Sequence, residues 1–207
     1  MFILKSSQNN FYQNTLLPTF SHSYIFTIMI LQSERLTLKE VSWDDLENIH
    51  KLHSIPSVDE FNTLGIPENE DDTGKIVQDM IDAQNTSPQK SYTWNIVLHK
   101  TNEFIGLAGM NLSRDKYRTG EIYYKLLPVH WGKGYATEVS KRLIKYGFED
   151  FNLHRIEAGV ALENKNSIKV LKKSGMTYEG LRRKILPIRG KWIDNYEYAI
   201  VEDDSRD

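Results

Sequence analysis

Between Glu121 and Leu127 the chain reads as an apolar, aromatic strand. Pro128 ends it, because proline has no N–H to give to a central ladder. Gly132 and Gly134 follow, and from Ala136 the apolar positions Ala136, Val139, Leu143, Tyr146 and Gly147 recur at helical spacing. A strand, a glycine turn and a helix start in this order aim several N–H groups without intrahelical acceptors at one point. With the positive end of the helix dipole they favour a bound anion, above all a phosphate. The glycines remove side chains that would hold a ligand off the backbone. The stretch therefore reads as a pyrophosphate holder, although a lone Gly-x-Gly is equally compatible with a ligand-free connection.

Two common phosphate motifs fit poorly. A Walker-type loop needs Lys and then Ser or Thr after its last glycine, where this chain has Tyr135-Ala136. The dinucleotide fingerprint needs Gly or Ala at position 137, occupied by Thr137, and an acidic residue about 20 residues on at a strand end. Glu157 lies near that distance but in the middle of the next strand reading.

The segment Trp131-Gly132-Lys133-Gly134-Tyr135-Ala136 resembles the acyl-CoA signature of the GNAT superfamily of N-acetyltransferases, (Gln/Arg)-x-x-Gly-x-(Gly/Ala). Gly134 and Ala136 fill the last two defined positions, and Trp131 departs from the first. That departure resembles the branch that acetylates ribosomal-protein N-termini. The same branch is echoed by Glu163-Asn164-Lys165-Asn166-Ser167-Ile168, by Leu171-Lys172-Lys173-Ser174-Gly175-Met176, and by Arg189-Gly190-Lys191-Trp192-Ile193-Asp194 with Tyr198. The likeness spans roughly residues 31 to 202.

The resemblance implies an α/β (α+β) GNAT fold: a mixed, mostly antiparallel sheet of about seven strands, about four helices, and strands four and five splayed to admit acetyl-CoA. It implies that backbone around Trp131, Gly132, Lys133, Gly134, Tyr135, Ala136 and Thr137 holds the pyrophosphate. The main chain at Leu126 and Leu127 would pair with the pantetheine arm, and Asn164 would bind the same arm. Glu121 would be the base and Ser167 the proton donor to the departing thiol. For Glu121 an ion-paired strand residue is the alternative, and for Ser167 and Asn164 a helix cap is. A base documented in the branch falls on Leu186 here and does not carry over, and Asp194 is a further candidate. Tyr123 and Tyr124 read as core and cleft wall, and Glu138 as compensation of the helix dipole.

Around this segment the chain is ordinary for a folded domain. At 207 residues, with 40% hydrophobic and 26% charged residues and net charge −2, it has enough chain for one sizeable core. The charge disfavours nucleic acid as main partner. The absence of cysteine removes disulfides and thiolate chemistry and suits a cytoplasmic protein. Residues 1–28 hold no Asp, Glu or Arg and lack an uninterrupted apolar run. They read either as a loosely attached extension or as residues ahead of a native start at Met29, with residues 29–207 as a single acetyltransferase domain, a monomer or homodimer with no membrane segment.

Arg35 to Val41 reads as a first strand, Ser42 to Asp45 as a capping box, and Leu46, Ile49 and Leu52 or His53 as the inner stripe of a helix. His50 and His53 on it are expected to face solvent, and no metal is expected. Residues 54–72 read as a loop, either one wall of an acceptor site or plain surface. A second helix is expected over about Thr73 to Gln84. Gly106 and Gly109 mark a bulge or a close backbone approach. A closing hairpin turns on Pro187-Ile188-Arg189-Gly190. The function expected is acetyl transfer from acetyl-CoA to an amine, a protein N-terminal α-amine in the nearest branch. A small-molecule amine or antibiotic acetyltransferase, or a non-catalytic CoA-binding domain, is the alternative.

Overall fold

Alternation of apolar and polar residues builds eight strands: Ile30–Gln32 (β1), Leu36–Glu40 (β2), Ser91–Leu98 (β3), Phe104–Leu112 (β4), Thr119–Leu126 (β5), Arg155–Ala161 (β6), Thr177–Ile188 (β7) and Lys191–Val201 (β8). They form one mixed sheet in the order β1-β2-β3-β4-β5-β6-β8-β7, antiparallel throughout except between β5 and β6. The computed structural model describes residues 30–113 and 115–204. The expected 1–28 extension and Met29 start lie outside the described residues.

Helices cover both faces. On one, Ala108, Met110, Ile122, Ile156 and Val160 of the sheet meet Val139, Leu143 and Ile144 of Tyr135–Glu149 (α4) and Leu171 of Lys165–Lys173 (α5). On the other, Phe104 and Leu107 meet Ile49 and Leu52 of Leu46–His53 (α1) and Val77 of Glu70–Asn85 (α3). Each fully buried Leu or Ile contributes about 1.5–3 kcal/mol, so the two layers clamp the sheet and fix which face every strand residue shows. Gly106 and Gly109 are close approaches, as read. A Cβ at Gly106 would lie 2.0 Å from the Lys125 carbonyl oxygen, and one at Gly109 2.2 Å from the Tyr123 ring.

The structure extends the expectation at several points. The additional strand is β1, three residues long, and the additional helix is Pro56–Asp59 (α2), a single turn with proline at its start. Both are too short for periodicity to register. Helix α3 begins at Glu70, not Thr73, because Asn69 caps it by accepting from the Asp72 N–H at 3.0 Å. The closing hairpin keeps Pro187 and Ile188 in β7 and turns on Arg189 and Gly190 alone, both at positive φ (47° and 72°).

The histidines of α1 do not face solvent. His50 Nδ1 is 2.8 Å from the Thr73 hydroxyl, and His53 is 3% exposed with neither ring nitrogen hydrogen-bonded. It sits one position beyond Leu52 on the inner stripe, so packing of α1 takes it inside. Burial first, then the Lys125 and His50 charges, push its pKa down to about 3. An unfolded histidine titrates near 6.5. The unfolded chain therefore binds a proton that the folded chain refuses. This contribution to stability is complete above about pH 6.5 and is lost as pH falls toward 3. His53→Leu is expected to flatten the fall of thermal stability below pH ~6.5, by at most about 1.4 kcal/mol per pH unit. Melting curves across that range check it, and an unaltered slope would refute it.

Candidate active site

Strands β5 and β6 pair over three residues only: Thr119 with Arg155, Gly120 with Ile156 and Glu121 with Glu157. Beyond Glu121, β5 stays on β4 as far as Leu126, while β6 stays on β8 as far as Ala161. A wedge opens between them, and its two edges carry backbone groups with no strand to pair with. The Leu127 N–H donates to the Ile105 carbonyl at 2.9 Å. Alternation of an antiparallel ladder then turns the polar groups of Leu126, and of Tyr124 before it, toward the wedge. Leu126 and Leu127 thus part company: Leu126 faces the gap, and Leu127 is committed to β4.

At the mouth of the wedge, a short 3-10 turn over Pro128–His130 leads to the glycines. Trp131, which stands where the signature has Gln or Arg, donates its indole N–H to the Leu126 carbonyl at 2.7 Å. It ties the turn back to the strand it leaves. Gly132 and Gly134 have φ of 72° and 82°, a region that costs other residues roughly 1–2 kcal/mol. A Cβ on Gly132 would meet nothing within 4 Å, so that side of the turn is open. Gly134 caps α4, whose first intrahelical bond runs from the Glu138 N–H to the Gly134 carbonyl at 3.1 Å. The N–H groups of Tyr135, Ala136 and Thr137 therefore have no acceptor within the helix. Bare backbone, open space and the N-terminus of a fifteen-residue helix fit a pyrophosphate.

Sequence reasoning missed what holds this turn in place. Arg35, just before β2, donates its backbone N–H and its Nε to the two oxygens of Glu138, each at 2.7 Å. Its Nη1 donates to the Lys133 carbonyl at 3.1 Å, and its guanidinium lies 4.5 Å over the Tyr135 ring. Ser33 adds a hydroxyl donor to Glu138 at 2.8 Å. Burial alone would raise the Glu138 pKa, but the Arg35 amide, the Ser33 hydroxyl and the guanidinium outweigh it and leave it lowered. Glu138 thus does more than offset a dipole. It anchors the first turn of α4 to the opposite end of the sheet. The only hint in the sequence was an acid in a helix's first turn.

The two catalytic candidates stand on either side of the wedge. Glu121 is the last paired residue of β5. Burial, then the Glu197 and Glu157 carboxylates, raise its pKa, with Arg182 opposing. Its neighbours are themselves paired, Glu157 with Arg155 at 2.6 Å and Glu197 with Arg182 at 3.1 Å. Ser167 lies in the first turn of α5, where its N–H donates to the Asn164 side chain at 3.1 Å. The cap reading of Asn164 holds, and it uses Oδ1 only. Between them, Tyr124 packs its ring on the α4 core while its hydroxyl oxygen, sealed from solvent, has no hydrogen-bond partner. Asp194 is engaged elsewhere: its carboxylate accepts from the Lys184 N–H at 2.8 Å within the irregular stretch of the β7–β8 hairpin.

The segment 54–72, read as an acceptor wall or as plain surface, contains the single turn α2. Asp59 is 3% exposed, and Arg189 at the tip of the β7–β8 hairpin reaches its Oδ2 and the Pro56 carbonyl, both at 3.4 Å. Loop and hairpin tip are thereby joined. Lys125, on the same side of β5, has its pKa lowered to about 8 by burial, against the pull of Asp59. No group of His, Asp or Glu side chains suited to a metal ion occurs among the described residues. No helix among them is long and apolar enough to cross a membrane.

Comparison with known proteins agrees with this geometry. Residues 35–177 match the model of the acetyltransferase (GNAT) domain. The chain is 34% identical over 172 residues to the uncharacterized N-acetyltransferase p20 of Bacillus licheniformis, covering 83% of this chain and 96% of that one. A GNAT-family acetyltransferase structure from Bacillus anthracis superposes with a TM-score of 0.73 at 31% identity, covering 84% of this chain and 99% of the other. Two more distant structures share the fold. One is spermidine N-acetyltransferase from Vibrio cholerae in complex with CoA and spermine (TM-score 0.71, 24% identity, 82% and 96% covered). The other is the ribosomal alpha-N-protein acetyltransferase RimL in complex with coenzyme A (TM-score 0.75, 19% identity, 86% and 100% covered). With the wedge, the glycine turn and the matched span in agreement, the chain belongs to the GNAT acetyltransferase family and is an N-acetyltransferase.

Proposed function

We propose that the chain transfers the acetyl group of acetyl-CoA directly to a primary amine, with the α-amine of a protein N-terminus as the preferred acceptor. The observation that carries this reading is the wedge: two strands parted just beyond Glu121, with a glycine turn and a bare helix N-terminus at its mouth. When bound, acetyl-CoA supplies an activated thioester. The chain's part is to hold it, polarise its carbonyl and receive a proton. The N–H groups of residues 132–137 hold the diphosphate, and the Leu126 edge of β5 holds the arm. A backbone N–H on that edge faces developing negative charge, the preorganised stabilisation on which acyl transfer depends most. Ser167, in the first turn of α5, would supply the proton for the departing thiol, the role that the family resemblance implies.

The preference for an α-amine follows from the base. Glu121 is a carboxylate with a pKa only raised from its ordinary value. A lysine-type amine titrates near 10.4, and an α-amine near 7.7–8. A carboxylate bridges the second gap far more readily. A small polyamine is the second reading, favoured by three carboxylates, Glu121, Glu157 and Glu197, grouped on one face of the sheet. Both readings work in the cytoplasm, where acceptor and thioester meet, and neither calls for nucleic acid or membrane.

Thiol release from acetyl-CoA decides between acceptors. A peptide with a free N-terminus is expected to be acetylated, and the same peptide blocked at its N-terminus but carrying lysine is not. Acetylation of spermidine in preference to the free peptide would overturn the preferred reading. Glu121→Gln is expected to lower kcat about 10²-fold or more near neutral pH with little change in KM for acetyl-CoA; an unchanged kcat would remove Glu121 as the base. For the turn, Arg35→Ala and Gly134→Val are expected to raise the Kd for CoA at least tenfold. Calorimetric titration with CoA measures this, and unchanged affinity in both would refute the assignment of the turn.

A further inference from the structure

Alternation along β5 sends Ile122, Tyr124 and Leu126 to the α4 side of the sheet and Glu121, Tyr123 and Lys125 to the other. Lys125 stands opposite Leu107 of β4, which lies in the same core cluster as Ile49 and Leu52 of α1. It comes four residues after the last β5–β6 pair, so no strand flanks it on the wedge side. The next residue is Leu126, whose backbone faces the gap. Lysine side chains withdrawn from solvent ordinarily have a partner. That of Lys125 is half-buried, yet its ammonium makes no hydrogen bond or ion pair among the described residues. Asp59, on the same side of the sheet, is engaged by Arg189 at 3.4 Å instead.

We propose that Lys125 is a site of self-acetylation: when no amine acceptor is present, its ε-amine takes the acetyl group of the thioester held in the wedge. The proposal rests on the acetyl-transfer reading of that wedge. Neighbouring strands lie about 4.8 Å apart, so a side chain rooted on one edge of the gap, with a flexible four-carbon stem, spans its width. The neutral amine attacks the thioester carbonyl. A carbon–nitrogen bond forms, the carbon–sulfur bond breaks, and the sulfur leaves with the electron pair. The proton shed by the nitrogen passes to that thiolate, so the products are acetyl-lysine and free CoA. The site supplies the neutral amine: burial lowers the Lys125 pKa to about 8, against the pull of Asp59. At pH 7.5 about a quarter of such amines are uncharged, against about one in a thousand for an ordinary lysine. Acetylation removes the charge and adds bulk on the face that carries Glu121 and Tyr123. It acts as a brake that sets in when thioester is abundant and acceptor scarce.

The test incubates the full chain with acetyl-CoA and no acceptor, and locates added acetyl groups by mass spectrometry of its peptides. Lys125 is expected to be acetylated at least about tenfold faster than any exposed lysine. Gly134→Val is expected to slow that step at least about tenfold at subsaturating acetyl-CoA, because the turn no longer holds the thioester. A peptide with a free N-terminus is expected to slow it as well, by drawing on the same thioester. A second readout needs no transfer: trace labelling of amines with acetic anhydride, with and without CoA. Bound CoA is expected to protect Lys125 severalfold and to leave the exposed lysines unchanged. Acetylation spread evenly over exposed lysines would overturn the proposal, and so would equal labelling of Lys125 with and without CoA. A chain that acetylates the peptide or spermidine while Lys125 stays unmodified would overturn this proposal alone. Modification of Lys125 with neither probe acetylated would support it and count against the proposed acceptors.

Discussion

The parallel ladder between β5 and β6 lasts for three residue pairs, and the rest of the molecule depends on its stopping there. Backbone N–H and C=O groups inside a sheet must find partners. A ladder broken in mid-sheet leaves two half-satisfied edges that water or an extended ligand completes. The break is held open from both sides, because β5 is committed to β4 through Leu126 and β6 to β8 through Ala161. Helices α4 and α5 then cover the face behind it and bring their N-terminal turns to the opening.

The glycine turn is useful only if it is held still. Gly132 and Gly134 allow the left-handed backbone, but a turn of two glycines has no stiffness of its own. Stiffness comes from outside. Trp131 ties back to the Leu126 carbonyl, and Arg35 with Ser33 fastens Glu138 and the Lys133 carbonyl. Hydrogen bonds to charged groups contribute about 1.5–3 kcal/mol each. Here they are discounted because the Arg35 side chain is 43% exposed. Their geometric effect survives that discount: three donors converge on one carboxylate, so the first turn of α4 has a single position.

The two sides of the sheet carry different chemistry. The side under α4 is mostly apolar and closes the wedge from behind, and Tyr124 packs on it. The side under α1 and α2 holds Asp59, Lys125 and the buried, neutral His53, with Arg189 pinning the hairpin tip to the loop. Glu121 stands where that side meets the wedge. In the proposed mechanism carbonyl, base and leaving group are served by different elements, and no single helix or loop contains the site.

What the sequence determined by itself was what is local and periodic. An apolar, aromatic run marked β5, strand character over Arg35 to Val41 marked β2, 3.6-residue spacing marked α1 and α4, and Pro128, Gly132 and Gly134 marked the turn, because each has a cost or preference that depends on nearest neighbours. The resemblance at Trp131–Ala136 and Asn164–Ser167 supplied the family in the same way. Only the tertiary structure decided what joins residues far apart in the chain. The Arg35–Glu138 pair spans 103 positions and Arg189–Asp59 spans 130. His53 was drawn inside by the packing of α1 against the sheet, a choice that periodicity leaves open at the margin of an apolar stripe. Asp194, readable in sequence as a base, was claimed by a backbone N–H in a hairpin irregularity that no local pattern announces. Hydrogen bonds and burial depend on distances that the chain acquires only when its layers close, which is why the turn was legible in advance and the residues that hold it were not.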